Sequence, residues 1–255
     1  MNWNTKRRLV YGMAVIFFVT SLTLYVFREV LFPAPSCFDM KKNGSEIDVD
    51  CGGTCSLRCS QEVIPISVNW SRALKTSPTV YDFVAMVSNK NIDNAPRVLP
   101  YTFIAYDISG KELKTITGTT SAPVDGDFPI VVQNIVLTQE PKEVIASVTN
   151  GPHFNVKESP TSPTLRITGT RYEAGSIPRV YATITNTKRL TISNLPVRVV
   201  LSDVEGNVMG VGETIIPFLD KEETKEISFT WDVPFANAPT LIHVYPIFDP
   251  FLSNK

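Results

Sequence analysis

The sequence predicts an all-β fold behind a single N-terminal transmembrane helix, with two tandem β-sandwich domains following it. Three observations carry this. Residues 9–27, LVYGMAVIFFVTSLTLYVF, hold no charged side chain. From residue 62 onward, short alternating runs rich in Val, Ile, Thr, Phe and Tyr recur between Gly, Pro, Asn and Asp, as strands and turns do. The two halves of that region also align with each other at an offset of 96 to 97 residues.

The apolar segment comes first. At about 1.5 Å per residue it forms a helix about 28 Å long, close to the ~30 Å hydrocarbon core of a bilayer. Lys6, Arg7 and Arg8 precede it, and Arg28 and Glu29 follow. Cytoplasmic flanks carry the excess of Lys and Arg, so residues 1–8 are expected in the cytoplasm and everything after residue 27 outside it. A cleavable signal peptide would have a shorter apolar region ending in an A-x-A site. This run is longer and exits into Arg28-Glu29-Val30, which favours a signal anchor.

The formal net charge is −1, of which Lys6, Arg7 and Arg8 contribute +3, leaving −4 on the rest. A mildly acidic ectodomain lacks the basic footprint of a nucleic-acid binder. All four cysteines, Cys37, Cys51, Cys55 and Cys59, fall in one stretch, CFDMKKNGSEIDVDCGGTCSLRC, within the membrane-proximal region 28–60. An even cysteine count outside the cytoplasm points to disulfides, with three pairings open. Four thiolates on zinc are the alternative, weakened by the absence of histidine and of paired C-x₂-C spacing.

This stretch resembles a small cysteine module of many secreted and surface proteins, of approximate pattern C-x-D-G-x-x-N-G-x-E-x-x-V-D-C-G-G-x-C-x-x-C. Cys37, Asp39, Asn43, Gly44, Glu46, Val49, Asp50, Cys51, Gly52, Gly53 and Cys55 fall on its positions. Met40 replaces the usual glycine, and the last spacing is three residues rather than two. The resemblance implies an extracellular setting and no activity. Its acidic residues also admit a calcium loop, with Asp39, Asn43, Ser45 and Asp50 as ligands. Lys41 would then stand where an oxygen ligand belongs, and the flanking helices are missing. A solvated disulfide loop without a cofactor is the preferred reading.

The expected strands of the first domain, residues 61–150, are 63–69, 80–88, 98–107, 113–118, 128–136 and 143–148. Those of the second, 164–255, are 164–172, 180–186, 195–203, 208–214, 226–233 and 240–245. Residues 151–163, with three prolines, read as a linker. Leu99-Pro100, Asp107 and Gly110 match Leu195-Pro196, Asp203 and Gly206. Each Asp-x-x-Gly reads as a hairpin turn, Asp for its side-chain acceptor and Gly for positive φ. The second unit, through Ile184-x-Asn186, Leu201-x-Asp203-x-x-Gly206 and Phe229-x-Trp231, resembles the Ig-like domains of bacterial surface proteins, of the CARDB and FxLYD types. The first resembles them more loosely, through Val87-x-Asn89 and Tyr106-Asp107-x-x-Gly110. The resemblance implies Ig-like sandwiches and adhesion-related roles.

Chemistry is sparse. His153 and His243 are the two histidines, 90 positions apart, and no G-x-S-x-G, H-E-x-x-H, P-loop or G-x-G-x-x-G occurs. His243, between Ile242 and Val244, reads as an outward strand residue. Trp70, Tyr81, Phe83, Tyr101, Phe103, Phe229 and Trp231 read as sandwich core. The apolar tail at 245–252 is expected to pack on the second domain, the alternative being a binding peptide presented to a partner. The expectation is a non-enzymatic, membrane-anchored binding or spacer protein of the cell envelope, whose partner is a protein or polysaccharide. The alternative is an accessory subunit of an envelope-spanning assembly, with the helix making the key contacts.

Overall fold

The computed structural model describes residues 3–31, 34–156, 165–187 and 191–251. It divides into two compact units, Met1–Cys55 and Ser56–Lys255.

In the first unit, helix α1 spans Trp3–Val26 and α2 spans Arg28–Leu31. Lys6–Val26 is long and apolar enough to cross a membrane, and none of it is buried by the protein. From Leu9 onward the helix carries no charge and is apolar on all sides, as lipid requires and water does not favour. Thr20 and Thr23 donate their hydroxyls to the carbonyls of Ile16 and Val19, at 2.7 and 2.8 Å. These bonds remove the cost of carrying a bare hydroxyl into hydrocarbon. The cysteine module follows, with turns in place of regular elements and a disulfide joining Cys37 to Cys55.

The second unit holds fourteen described strands. Those of its first half are β1 (Ser67–Lys75), β2 (Val80–Asn89), β3 (Asn94–Pro96), β4 (Leu99–Tyr106), β5 (Glu112–Thr120), β6 (Gly126–Val136), β7 (Glu143–Val148) and β8 (His153–Asn155). Its second half holds β9 (Leu165–Glu173), β10 (Arg179–Asn186), β11 (Ile192–Ser202), β12 (Val208–Leu219), β13 (Thr224–Thr230) and β14 (Leu241–Pro246). Sheets β1-β2-β6 and β5-β4-β7 make one sandwich, and β9-β10-β13 and β12-β11-β14 the other, with all pairings antiparallel. Corresponding strands take the same places in both.

The core of the first sandwich is built on Phe83, Leu99, Phe103, Phe128 and Ile130, and that of the second on Val180, Ile184, Val199, Leu201, Leu219 and Phe229. A third buried cluster joins Val84, Met86 and Val131 of the first sandwich to Val200 and Val211 of the second. Strands β2 and β11 are therefore buried on both faces, and the two sandwiches share an apolar interface rather than a bare linker.

Three details depart from the sequence reading. The first strand begins at Ser67 rather than 63, because Ser60–Glu62 form a 3₁₀ turn. The amides of Ile64 and Ile66 then donate to the side chains of Asn91 and Asn150 instead of to a ladder. The expected linker 151–163 contains β8, which pairs with β3, while residues 157–164 lie outside the described residues. The tail packs against both halves. Ile247 is buried in the first core and Phe248 packs on the second, while Phe251 meets Phe154 edge-on under the Arg97 guanidinium.

Candidate functional site

All four cysteines are oxidised. Cys37 is bonded to Cys55, Cys51 and Cys59 are disulfide-bonded as well, and no free thiol is left. Thiolates are what a zinc site would need, and oxidised cysteines do not supply them. Sulfurs of Cys37 and Cys55 lie close to the Glu46 carboxylate, but disulfide sulfurs are not thiolates and offer a metal little.

The calcium candidates are partly brought together. Asp50 accepts the amides of Asp39 and Met40, at 3.0 and 2.9 Å. Asp39 accepts the amide of Lys41 and the side-chain amide of Asn43, at 2.9 and 2.7 Å. Both carboxylates thus serve the backbone of one loop. Ser45 bonds Thr54 instead, at 2.8 Å. Asn43 Oδ1 is buried without a hydrogen-bond partner among the described residues. Tight turns bring these groups together, with Met40 at φ +59°, Asp50 at +55° and Gly53 at +59°. A Cβ on Gly53 would sit 1.9 Å from the Ser45 carbonyl oxygen, so only glycine fits there.

Asp107 and Asp203 serve their turns. Asp107 Oδ1 accepts the amides of Ser109 and Lys111, at 2.8 and 2.9 Å. Asp203 Oδ1 accepts those of Glu205 and Asn207, at 2.9 and 2.8 Å. Gly110 and Gly206 take φ +80° and +84°. Hydrogen bonds, led by Ser109 and Asn207 respectively, hold both carboxyls below the usual range. The matched strand-end asparagines also act alike. Asn89 Nδ2 donates to the Pro123 carbonyl at 2.9 Å, and Asn186 Nδ2 to that of Leu219 at 3.1 Å.

A cleft of about 440 Å³ lies between the sandwiches of the second unit. Lys75 comes from the end of β1, Ser77 from the β1–β2 turn, Asp82 from β2, Asn134 from β6, and Trp231 and Phe235 from the segment after β13. Trp231 donates its indole N–H to the Val211 carbonyl at 2.9 Å, and its ring packs on Phe235. Gly210 is bare because a Cβ would stand 2.7 Å from the Phe235 ring. Asp82 is almost wholly buried and accepts the amide of Asn134 at 2.9 Å. Burial raises its carboxyl above the usual range, against the hydrogen bonds from Asn134 and Gln133. The cleft therefore offers an apolar wall and one buried carboxyl, with the Lys75 ammonium at its edge paired to Glu140 at 3.0 Å. Neither histidine lines it.

His243 is exposed on β14, as its alternation implies. His153 is not an exposed linker residue. It is 2% exposed on β8, with Nδ1 2.8 Å from Asn94 Oδ1. Of the aromatics assigned to core, Tyr81, Phe83, Phe103, Phe229 and Trp231 are buried, and Trp70 and Tyr101 are half-buried against the clusters. The sequence reading missed the cleft and the interface beside it. The signal available was that VYDFVAMV and PVRVVLS are nearly continuous apolar runs rather than alternating ones, the mark of strands covered on both faces.

No family model matches the chain, and no curated protein matches it. Among solved structures, the chain is similar to a crystal structure of red sea bream transglutaminase, at 13% identity and a TM-score of 0.21, over 72% of this chain and 31% of that one. The chain spans under a third of that protein's length, and a likeness this low carries no argument about fold or activity.

Proposed function

We propose that the chain is a membrane-anchored, extracytoplasmic and non-enzymatic protein, which holds a two-sandwich body outside the membrane to bind or space a protein or polysaccharide of the envelope. One observation carries the reading. A helix long enough to span a bilayer, carrying Lys6, Arg7 and Arg8 at its N-terminal end, is followed by four cysteines that are all oxidised. Disulfides belong to oxidising compartments, and the cation bias retains the N-terminus inside, so two independent arguments agree on orientation. The interface through Val84, Met86, Val131, Val200 and Val211 suits a body of fixed geometry, and the cleft beside it suits recognition. We read the two sandwiches as tandem products of one repeat, supported by the matching sheet orders and by the paired roles of Asp107 with Asp203 and Asn89 with Asn186. The Ig-like resemblance rests on the same support.

The test is protease applied to intact cells or spheroplasts. Digestion of residues 60–255 is expected, and full protection of that region overturns the orientation and the placing of the disulfides with it.

A further inference from the structure

Phe38 and Met40 project from the cysteine module into solvent, each 86% exposed. Single exposed apolar residues are ordinary, but three further facts set this pair apart. Met40 holds a left-handed φ of +59°, which side chains rarely adopt, and the Asp50 carboxylate pins its amide and that of Asp39 in place. The charges of the module are also engaged differently. The carboxylates of Asp39, Glu46, Asp48 and Asp50 all accept main-chain amides within the module. Lys41 and Lys42, next to Met40, are exposed. Finally, the tether is short. Seven residue steps separate Phe38 from Leu31, the end of α2, a reach of at most ~25 Å fully extended. The headgroup zone alone is about 5–8 Å deep on each side.

We propose that this edge of the module docks on the anionic headgroup surface of the membrane that α1 crosses. Phe38 and Met40 enter the boundary of the acyl chains, and Lys41 and Lys42 meet the lipid phosphates. The proposal rests on α1 spanning the bilayer. A side chain that water disfavours, held out by a fixed backbone within reach of hydrocarbon, has a partner in the lipid and none in the described module. Each lysine near an anionic surface favours the docked state about fivefold.

The test uses the full chain reconstituted into vesicles containing anionic lipid and phospholipid brominated near the top of its acyl chains. In the unaltered chain, Trp70 and Trp231 of the sandwiches give unquenched emission, while Trp3 at the start of α1 is quenched if the anchor is inserted, and this partial quenching sets the background. Phe38→Trp is expected to add emission that is blue-shifted and quenched, and Met40→Trp to do the same. Ile108→Trp, at an equally exposed apolar site on the β4–β5 turn, is expected to add emission that is not quenched. Lys41→Glu with Lys42→Glu in the Phe38→Trp background should lose most of the added quenching, as should vesicles without anionic lipid. Unquenched emission from both module tryptophans, over a quenched Trp3 background, overturns the docking and leaves the anchor standing. Absence of quenching in the unaltered chain overturns the anchor, and the docking with it.

Discussion

Arg198 on β11 donates through Nη1 to the main-chain carbonyl of Pro129 on β6, at 2.7 Å, and so ties the second sandwich to the first. The same guanidinium bonds Glu213 at 2.6 Å on its own sheet and reaches Thr120 Oγ1 at 3.3 Å. It is 7% exposed, beside a cluster of Val, Met, Leu, Trp and Tyr side chains. A charge there is tolerated because three acceptors meet it. Arg198→Ala leaves the Pro129 carbonyl without its donor and Glu213 without its partner. Breaking a buried pair costs ~3–5 kcal/mol, and Glu213 keeps enough water contact to place this loss at about 2–3 kcal/mol. The midpoint of urea unfolding, compared at constant m, measures it.

The apolar part of the interface makes its own prediction. Fully burying one Val or Met side chain contributes roughly 1.5–3 kcal/mol, so the five buried residues together couple the halves by several kcal/mol. The intact second unit is expected to melt in one transition. Val200→Asp places a charge against Val84, Met86 and Val131, while facing water if the sandwiches part. It should split the melt into two transitions and leave the β-type circular dichroism in place. A single transition retained at the original temperature would show that the halves are not coupled through this cluster.

The strands were legible because the period-2 runs coincide with real ladders. Ten of the twelve expected segments begin within two residues of the observed strand, and the matched pairs Asp107 with Asp203 and Asn89 with Asn186 do the same work in each half. Strands β3 and β8 were not legible, since three residues hold no period and both lie beside prolines. His153 therefore passed for a linker residue although Asn94 and the β3–β8 ladder bury it. The cleft was invisible for a different reason. Lys75, Asp82 and Asn134 share one sheet of the first sandwich, but Trp231 reaches them only because the second sandwich packs on it, and no spacing within either repeat encodes that.

Met40 offers a check on the module. A left-handed backbone costs an L-residue about 1–2 kcal/mol, and glycine returns part of that through its looser unfolded chain. Met40→Gly is expected to stabilise the loop 39–43 by about 0.5–1 kcal/mol, read as slower amide exchange at Asp39 and Met40. Gly53→Ala should do the reverse, because its Cβ collides with the Ser45 carbonyl. Faster exchange in Met40→Gly would mean that the side chain, not the backbone, holds the loop.

The last prediction concerns acid. His153 is buried with Nε2 unbonded among the described residues, and burial pushes its pKa below the ordinary 6.5. The folded protein therefore resists the proton that the unfolded chain accepts. Stability contributed by neutral His153 is present above about pH 6.5 and is lost as pH falls from there towards the folded value. Asp107 and Asp203 act in a separate and lower window. Their lowered pKa values give stability above the unfolded carboxyl value, which is lost only as pH falls through the folded one. Asp82 has the opposite sign, since its raised pKa makes the folded state bind a proton more readily than the unfolded. Between pH 7.5 and 5, His153 should thus dominate the downward slope of stability, with Asp82 opposing it at the acid end. His153→Asn keeps a polar group beside Asn94 without a titrating ring. It is expected to cost stability at pH 7.5 and to flatten the slope between pH 6.5 and 5, measured as urea midpoints at half-unit steps. An unchanged slope in that variant would assign the acid sensitivity to some other group.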